Sequence, residues 1–320
     1  MTIRDELKKV ITGLTIPQEY LCLALEDFTD PLKISVSPDK GSTVFADVTS
    51  NHLFLGYKPV VIGIYNPDET TSIALSGLST VVLNFHYRTN RIASLSLTLV
   101  DTRLLDGKKI FLYKAVQGDH EFLNTFHRFI NHYRLKFRKQ ELGNVDLPGN
   151  LIDQVRIAYA VPRIIGLITL SDGSKMNMFP TDLHGPVNDR FYIGSLRIGG
   201  KANEQVEVLR KVVLAQMSLS TYKEVYRLGK NHMRDLAGRG QFTLHDQNSD
   251  AFDFPLPAGV LRYWELSLMD SCDIGIHRVH MYRIINFKRL VENGKTLAHI
   301  HQYYAQWRQD RKIPTQLLLR

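Results

Sequence analysis

Short runs of apolar and β-branched residues, each cut off by turn-forming residues, recur along most of the chain and constrain its fold more than any other feature. In the first half they fall at residues 53–65, 79–87, 92–100 and 110–116, broken by Pro67-Asp68 and Asp106-Gly107. In the second half they fall at 163–170, 190–198, 263–269 and 276–285. Such runs, separated by Gly, Pro, Asn or Asp, read as strands joined by turns. Helical signal is confined to residues 4–14, 119–139, 204–217 and the C-terminal tail. Many strands and few helices predict a mainly β chain with α (α+β), built as barrels or sandwiches. No fixed-period repeat is evident, although both halves read as barrel-like.

The long aromatic stretch reads as a helix capped by Asp119. Phe122, Phe126, Phe129, Ile130, Tyr133 and Phe137 recur at spacings of three and four and paint one apolar face, expected to meet the core. Arg128, Arg134, Lys136, Arg138 and Lys139 occupy the remainder. Residues 143–149 contain Gly, Asn, Asp and Pro and end this pattern, which sets a domain boundary near Leu147. The expected division is a β-rich N-terminal domain, 1–147, readable as a divergent barrel closed by the long helix, and a second domain, 148–320. In the tail, Leu297, Ile300, Tyr304 and Trp307 stand at helical spacings and are expected to pack back onto the body.

With 320 residues, 44% hydrophobic and 22% charged, the chain has the composition of a globular protein with a real core. Its apolar runs fall far short of the roughly 18 residues of a membrane span, and residues 1–14 mix charges with aliphatics and lack a signal-peptide centre. No membrane crossing and cytoplasmic residence are the expectations. Cys22 and Cys272 are too few for a disulfide scaffold or a thiolate metal site and read as small core residues. The net charge of +8 is spread over 40 scattered bases, which describes a solvated surface attractive to anionic small molecules rather than a nucleic-acid groove. The 12 histidines show no recognised metal-ligand spacing, and neither a G-x-S-x-G elbow nor a G-x-G-x-x-G fingerprint is present.

Two stretches carry chemistry that folding alone does not ask for. After the hairpin turn Ser171-Asp172-Gly173-Ser174-Lys175, residues 176–185 set Asn177, Thr181, Asp182 and His184 beside Met and Phe. That mixture suits hydrogen bonds to a flat heteroaromatic ligand, and equally an irregular loop. Further on, Ser195, Arg197, Gly199-Gly200, Lys201 and Asn203 join a strand to a helix. Backbone N–H groups at a helix start, with two bases nearby, suit a phosphate; a Gly-rich turn with solvated bases is the plainer alternative.

The ordered series of residues 161–170, the Asp-Gly turn, Met176-Asn177-Met178, the Thr181 loop, Pro186-Val187-Asn188-Asp189, the strand to Ser195 and the Gly199–Asn203 helix entry resembles the flavin reductase-like FMN-binding split-barrel family. The likeness continues through residues 257–269 and the Gly275-Ile276-His277 strand, covering about 130 residues. It departs from that pattern at Phe179-Pro180 and at Gly199-Gly200. The resemblance implies a split β-barrel in the second half, FMN as cofactor with NAD(P)H as transient reductant, and a homodimer whose subunits share the flavin site, unless the N-terminal half supplies the missing wall. Carried over, it implies that Asn177, Thr181, Asp182 and His184 line the flavin and that Ser195, Arg197, Lys201 and Asn203 hold its phosphate. His277 matches the closing histidine, which either lies near the flavin or orders its strand. The function implied is an FMN-dependent oxidoreductase in which side chains tune the flavin. The alternative is a non-catalytic flavin-binding or redox-sensing module, and a third reading is an apo-barrel for protein interaction. The N-terminal half matches no nameable family.

Overall fold

A computed structural model of the chain describes residues 3–25, 30–38, 46–65, 69–136, 145–315 and 317–318. After helix α1 (Ile3–Thr12) and strand β1 (Tyr20–Ala24), the first half builds β2 (Lys33–Ser37), β3 (Ala46–Asp47), β4 (His52–Tyr57), β5 (Val60–Tyr65), helix α2 (Glu69–Ser76), β6 (Thr80–Tyr87), β7 (Asn90–Leu105) and β8 (Lys108–His120). Helices α3 (Thr125–Lys136) and α4 (Leu151–Ala158) follow. The second half runs through β9 (Arg163–Ile164), β10 (Gly166–Ser171), β11 (Met176–Thr181), β12 (His184–Pro186), β13 (Phe191–Arg197), helix α5 (Lys201–Leu209) and β14 (Lys211–Met217). Then come helix α6 (Tyr222–Arg227), a small hairpin of β15 (Leu244–Asn248) and β16 (Pro255–Pro257), β17 (Val260–Ile274), β18 (His277–Arg289), β19 (Leu297–His301), helix α7 (Gln302–Asp310) and β20 (Leu317–Leu318). The chain is mainly β with α, and no helix among the described residues is long and apolar enough to cross a membrane.

The two halves repeat one topology. The first seven-stranded sheet has the order β3-β2-β6-β7-β8-β5-β4, the second β11-β10-β14-β17-β18-β13-β12. Each pairs a first hairpin and a second hairpin with three later strands, and a helix, α2 or α5, separates the second hairpin from the third element. The long hairpins β7–β8 and β17–β18 match at one constant offset in residue number. Leu97-Thr98-Leu99-Val100-Asp101-Thr102 corresponds to Leu266-Ser267-Leu268-Met269-Asp270-Ser271, and Tyr113-Lys114 to Tyr282-Arg283. Their register shifts coincide too, at Ser96/Leu97 and Leu99/Asp101 in one and at Glu265/Leu266 and Leu268/Asp270 in the other. A bulge is a two-residues-against-one feature that re-aims its strand, so sharing both positions marks the same designed bend twice. The match is visible in the hairpins and not as a short fixed period, because loops of different length separate the other elements.

Four apolar clusters organise the halves. Under the first sheet, Phe54, Leu83, Phe85 and Leu95 pack with Leu21 and Leu23 of β1, Val155 and Ile157 of α4, and Tyr304 and Trp307 of α7. The chain ends are tied by a four-stranded sheet, β20-β1-β19-β9. The second sheet has its own apolar layers on its two sides, one around Met178, Val213 and Tyr263 and one around Phe179, Tyr192, Val206 and Leu266. Between the sheets lies a further cluster, in which Leu53, Leu55, Val61, Tyr65, Leu105, Ile110 and Leu112 meet Val187, Phe191, Ile193, Ile274, Val279 and Met281.

Four local expectations are corrected. Asp119 lies in β8 and caps nothing; α3 begins at Thr125, and the Asn124 side chain accepts from the His127 N–H at 2.8 Å. The face of α3 is outward, with Phe126, Phe129 and Tyr133 all exposed, while Phe122 is buried ahead of the helix; Phe137, Arg138 and Lys139 fall outside the described residues. The stretch 204–217 is a helix only to Leu209. Arg210 takes a left-handed conformation (φ 55°) and the β-branched Val212-Val213 pair continues as β14, hydrogen-bonded on both sides. Likewise Leu297 and Ile300 belong to strand β19, which pairs with β1, and only Tyr304 and Trp307 are helical. Cys22 is buried as expected, whereas Cys272 is half-buried on β17.

The tightest junction between the halves is a turn against a turn. The Ile276 N–H donates to the Lys58 carbonyl at 3.1 Å. Gly275, at φ +63°, leaves no room for a side chain, since an added Cβ would lie 2.2 Å from Pro59 Cδ and 2.3 Å from the Lys58 oxygen. Gly275→Ala therefore combines a left-handed penalty of about 1–2 kcal/mol with overpacking of about 1–3 kcal/mol. Gly107→Ala, with a similar φ of +78° and nothing within 4 Å, keeps only the first cost. Urea melts are expected to show the first variant clearly less stable than the second; equal losses would mean that the turns are not in contact.

Candidate functional site

Strand alternation decides which side chains reach the boundary between the sheets. Phe191 and Ile193 of β13 and Val279 and Met281 of β18 face the first sheet. Ser195, paired with Val279, and Arg197, paired with His277, continue that face toward the end of the strands. There the apolar seam turns polar. Opposite them β4 ends in Tyr57, whose ring meets the His277 imidazole edge-on at 4.3 Å and 78°. Gly56 permits the approach, because a Cβ there would stand 3.2 Å from His277 Nδ1.

His277 is 1% exposed, and neither of its ring nitrogens has a hydrogen-bond partner among the described residues; the Ser195 hydroxyl is buried in the same condition. Burial pushes the His277 pKa down to about 4, with the Arg197 charge acting in the same direction and Asp182 against it. Burial also raises the Tyr57 phenol, which Arg197 lowers and Asp182 raises. Arg197 itself is exposed at the rim. A buried imidazole without partners is costly, on the order of 1–3 kcal/mol per unsatisfied group. Natural chains keep such groups where they serve something other than folding.

Behind this seam a buried carboxylate is held ionised. Asp182 Oδ2 accepts from the Tyr159 hydroxyl at 2.9 Å and from His299 Nδ1 at 2.6 Å. The other ring nitrogen, Nε2, lies within hydrogen-bond reach of the Tyr226 hydroxyl, at 2.5 Å. Burial acts to raise the Asp182 pKa, but the hydrogen bond and charge of His299, joined by Tyr159, outweigh it and hold the carboxyl below its ordinary value. Arg163, buried nearby, donates twice to the Ala158 carbonyl at 2.9 and 2.7 Å, and burial lowers its pKa to about 10. The chain Tyr226–His299–Asp182 is a phenol–imidazole–carboxylate relay able to hold or pass a proton.

Of the residues singled out from sequence, the structure brings Asp182, Ser195, Arg197 and His277 together along the seam. Thr181 is half-buried beside them, its hydroxyl accepting from the Leu183 N–H at 3.3 Å. His184 turns into the second sheet's own core, where Nδ1 meets the Tyr192 hydroxyl at 2.7 Å and burial lowers its pKa to about 4. Asn177 stands at the other end of β11. Its amide donates to the Gln205 side chain and to the carbonyls of Asn231 and Arg234, at 2.9, 3.0 and 3.2 Å, so it holds down the segment that covers it. On α5, Lys201 is exposed and pairs with Glu204 at 3.2 Å, while Asn203 is buried with Oδ1 unpartnered among the described residues. Sequence reasoning missed Tyr57, Tyr159, Tyr226 and His299. Only the His299-Ile300-His301 spacing gave any hint, and nothing local connects Tyr57 to residues more than a hundred positions away.

No family model matches the sequence, and no curated protein matches it. Solved structures similar to about half of the chain are flavin reductases and FMN-binding proteins. One is the NADH:FAD oxidoreductase of Streptomyces globisporus, at 14% identity and a TM-score of 0.42, covering 52% of this chain and 96% of that one. Another is an FMN-binding protein of Thermus thermophilus, at 15% identity and a TM-score of 0.39, covering 48% and 80%. A third is the styrene monooxygenase flavin reductase of Pseudomonas putida, at 8% identity and a TM-score of 0.38, covering 52% and 97%.

The depressed histidines set an acid limit on stability. A histidine whose folded pKa lies near 4 instead of 6.5 leaves the unfolded chain binding more protons in that interval. Its contribution is present above about pH 6.5 and is lost as pH falls toward 4. His184 and His301, also near 4, and His52, near 3, act in the same direction. The urea midpoint is expected to fall from pH 6.5 to 4, and His277→Phe to flatten part of that fall by on the order of 1–3 kcal/mol. A pH-independent midpoint across this interval would sink the assignment.

Proposed function

We propose that the chain is an FMN-binding flavoprotein of the flavin reductase-like kind, passing hydride or electrons between NAD(P)H and flavin or a further acceptor. The observation that carries this reading is the polar end of the seam: the buried His277 ring nitrogens and Ser195 hydroxyl, with no hydrogen-bond partner among the described residues, beside the Tyr57 ring and under Arg197. The ordered C-terminal segments that resemble the split-barrel family end on those same residues. Flavin, when bound, supplies the hydride and electron chemistry.

The residues present fit such a group. Arg197 and Lys201 would balance a phosphate at the entry of α5, whose N-cap Gly200 offers no side chain to its first turn. His277, kept neutral by burial, has one N–H to give and one lone pair to accept with, which suits the mixed edge of a flavin ring. Asp182, kept ionised and fixed by Tyr159 and His299, orients that region and lowers the cost of a proton arriving through Tyr226. Asn177 is engaged within the chain and is not needed for this reading.

Replacing Arg197 and Lys201 together with Ala is expected to weaken FMN about ten- to a hundredfold, the loss of charge-assisted contacts worth about 1.5–3 kcal/mol. Riboflavin, which lacks the phosphate, is expected to change little. Equal losses for both ligands by fluorescence quenching would remove the phosphate assignment. Anaerobic NADH or NADPH is expected to bleach the yellow colour of the bound oxidised flavin; a yellow protein that neither reductant bleaches is the non-catalytic module instead.

A further inference from the structure

We propose that the N-terminal half is a second subunit built into the chain, and that of the two symmetry-related sites such a pair creates only one keeps the groups to hold a ligand, the one walled by Tyr57 on one side and by Ser195, Arg197 and His277 on the other. The inference that this site takes one flavin rests on the function proposed above; the in-chain pairing does not.

The duplicated topology makes the seam a pseudo-twofold interface. Leu105, Ile110 and Leu112 of the first long hairpin enter it opposite their own counterparts Ile274, Val279 and Met281. Symmetry-related turns also meet the opposite hairpin in both directions. The β4–β5 turn packs on Gly275 and Ile276, and Arg190, in the β12–β13 turn, pairs with Asp106 in the β7–β8 turn.

The interface is nevertheless specific for unlike halves. Arg103 binds Asp101 at 2.7 Å and reaches across to Asp270 at 3.1 Å. The counterpart of Asp101 is Asp270, whereas the counterpart of Arg103 is Cys272. Two copies of the second half would thus bring the Asp270 carboxylates to the axis with no arginine between them, and like charges there oppose association. One copy of each half resolves the conflict.

The same correspondence shows which site was kept. Ser195 pairs with Val279, and Tyr65 pairs with Ile110, the counterpart of Val279, so Tyr65 stands where Ser195 stands. The serine keeps a buried hydroxyl with no hydrogen-bond partner among the described residues; the tyrosine puts a ring there. Tyr65 is buried in the interface core, with its hydroxyl donating to the Ser50 carbonyl at 3.0 Å. His277 has Lys108 as its counterpart, which is exposed. Helix α2 opens on Glu69, where α5 opens on Lys201. The second position therefore lacks the unpartnered serine hydroxyl, the imidazole and the basic helix start.

Light scattering combined with FMN titration on the full chain tests this. The expected result is a particle of one chain, 36.7 kDa, binding one FMN, with Tyr57→Ala weakening FMN at least tenfold and Tyr57→Phe, which keeps the ring, binding within a few-fold of the parent. Two FMN per chain, or an obligate dimer that releases FMN on dilution, would overturn the proposal. So would a Tyr57→Ala variant that melts like the parent and binds FMN equally well. A monomer that binds no flavin refutes the flavin reading while its mass upholds the in-chain partner.

Discussion

The contact on which the rest depends is the burial of one sheet's outer face against the other's. Each sheet here packs apolar layers of its own and leaves a further apolar patch, on β4, β5, β7 and β8 in the first and on β13, β17 and β18 in the second. Those patches would be wet in isolated halves. Pressed together they bury Leu53, Leu55 and Leu112 against Phe191, Ile193 and Met281, each side chain contributing about 1.5–3 kcal/mol by leaving water. That dry layer is also what makes the electrostatics at its end consequential. His277 and Ser195 are desolvated because Tyr57 and the β4–β5 turn close over them.

Desolvation then sorts the titratable groups. His277 is driven toward neutrality, the opposing charge of Asp182 being outweighed by burial and by Arg197. Asp182 experiences the same burial and remains ionised, because His299 and Tyr159 hydrogen-bond to its charged form. A neutral imidazole and an anchored carboxylate thus coexist within one small region, one available to a ligand and the other fixed by the protein. Environments that separate the protonation of neighbouring groups are characteristic of sites rather than of plain cores. The relay through His299 to Tyr226 links the carboxylate to strand β19 and helix α6, elements that meet it only through the fold.

Much of this was legible before any coordinates, for identifiable reasons. Strand runs bounded by turn residues gave the fold class, since a period of two is a local property of the backbone. The two polar stretches pointed to Asp182, Ser195 and Arg197, and the resemblance to the split-barrel family to His277. Where local reading failed, a tertiary contact had the deciding influence. Residues 211–217 carry helical spacing, yet neighbouring strands on both sides offer a ladder of hydrogen bonds that a helix end at Arg210 makes accessible. The aromatic stripe of α3 has the pattern of a core face, yet the core it would enter is already filled by α4 and α7, leaving Phe126 and Phe129 outside.

By itself, then, the sequence determined the kind of structure and the chemical inventory: β strands, a polar turn after β11, a basic helix entry and a closing histidine. These are encoded in neighbouring residues, where spacing and side-chain type act directly. Only the tertiary structure decided which of those groups become a site. Tyr57 reaches His277 from the opposite half, and Tyr65 occupies the place that corresponds to Ser195, because a repeated topology faces its own copy across an apolar seam. Pairing of that sort depends on surfaces assembled from many separated strands, so no window of the chain carries it.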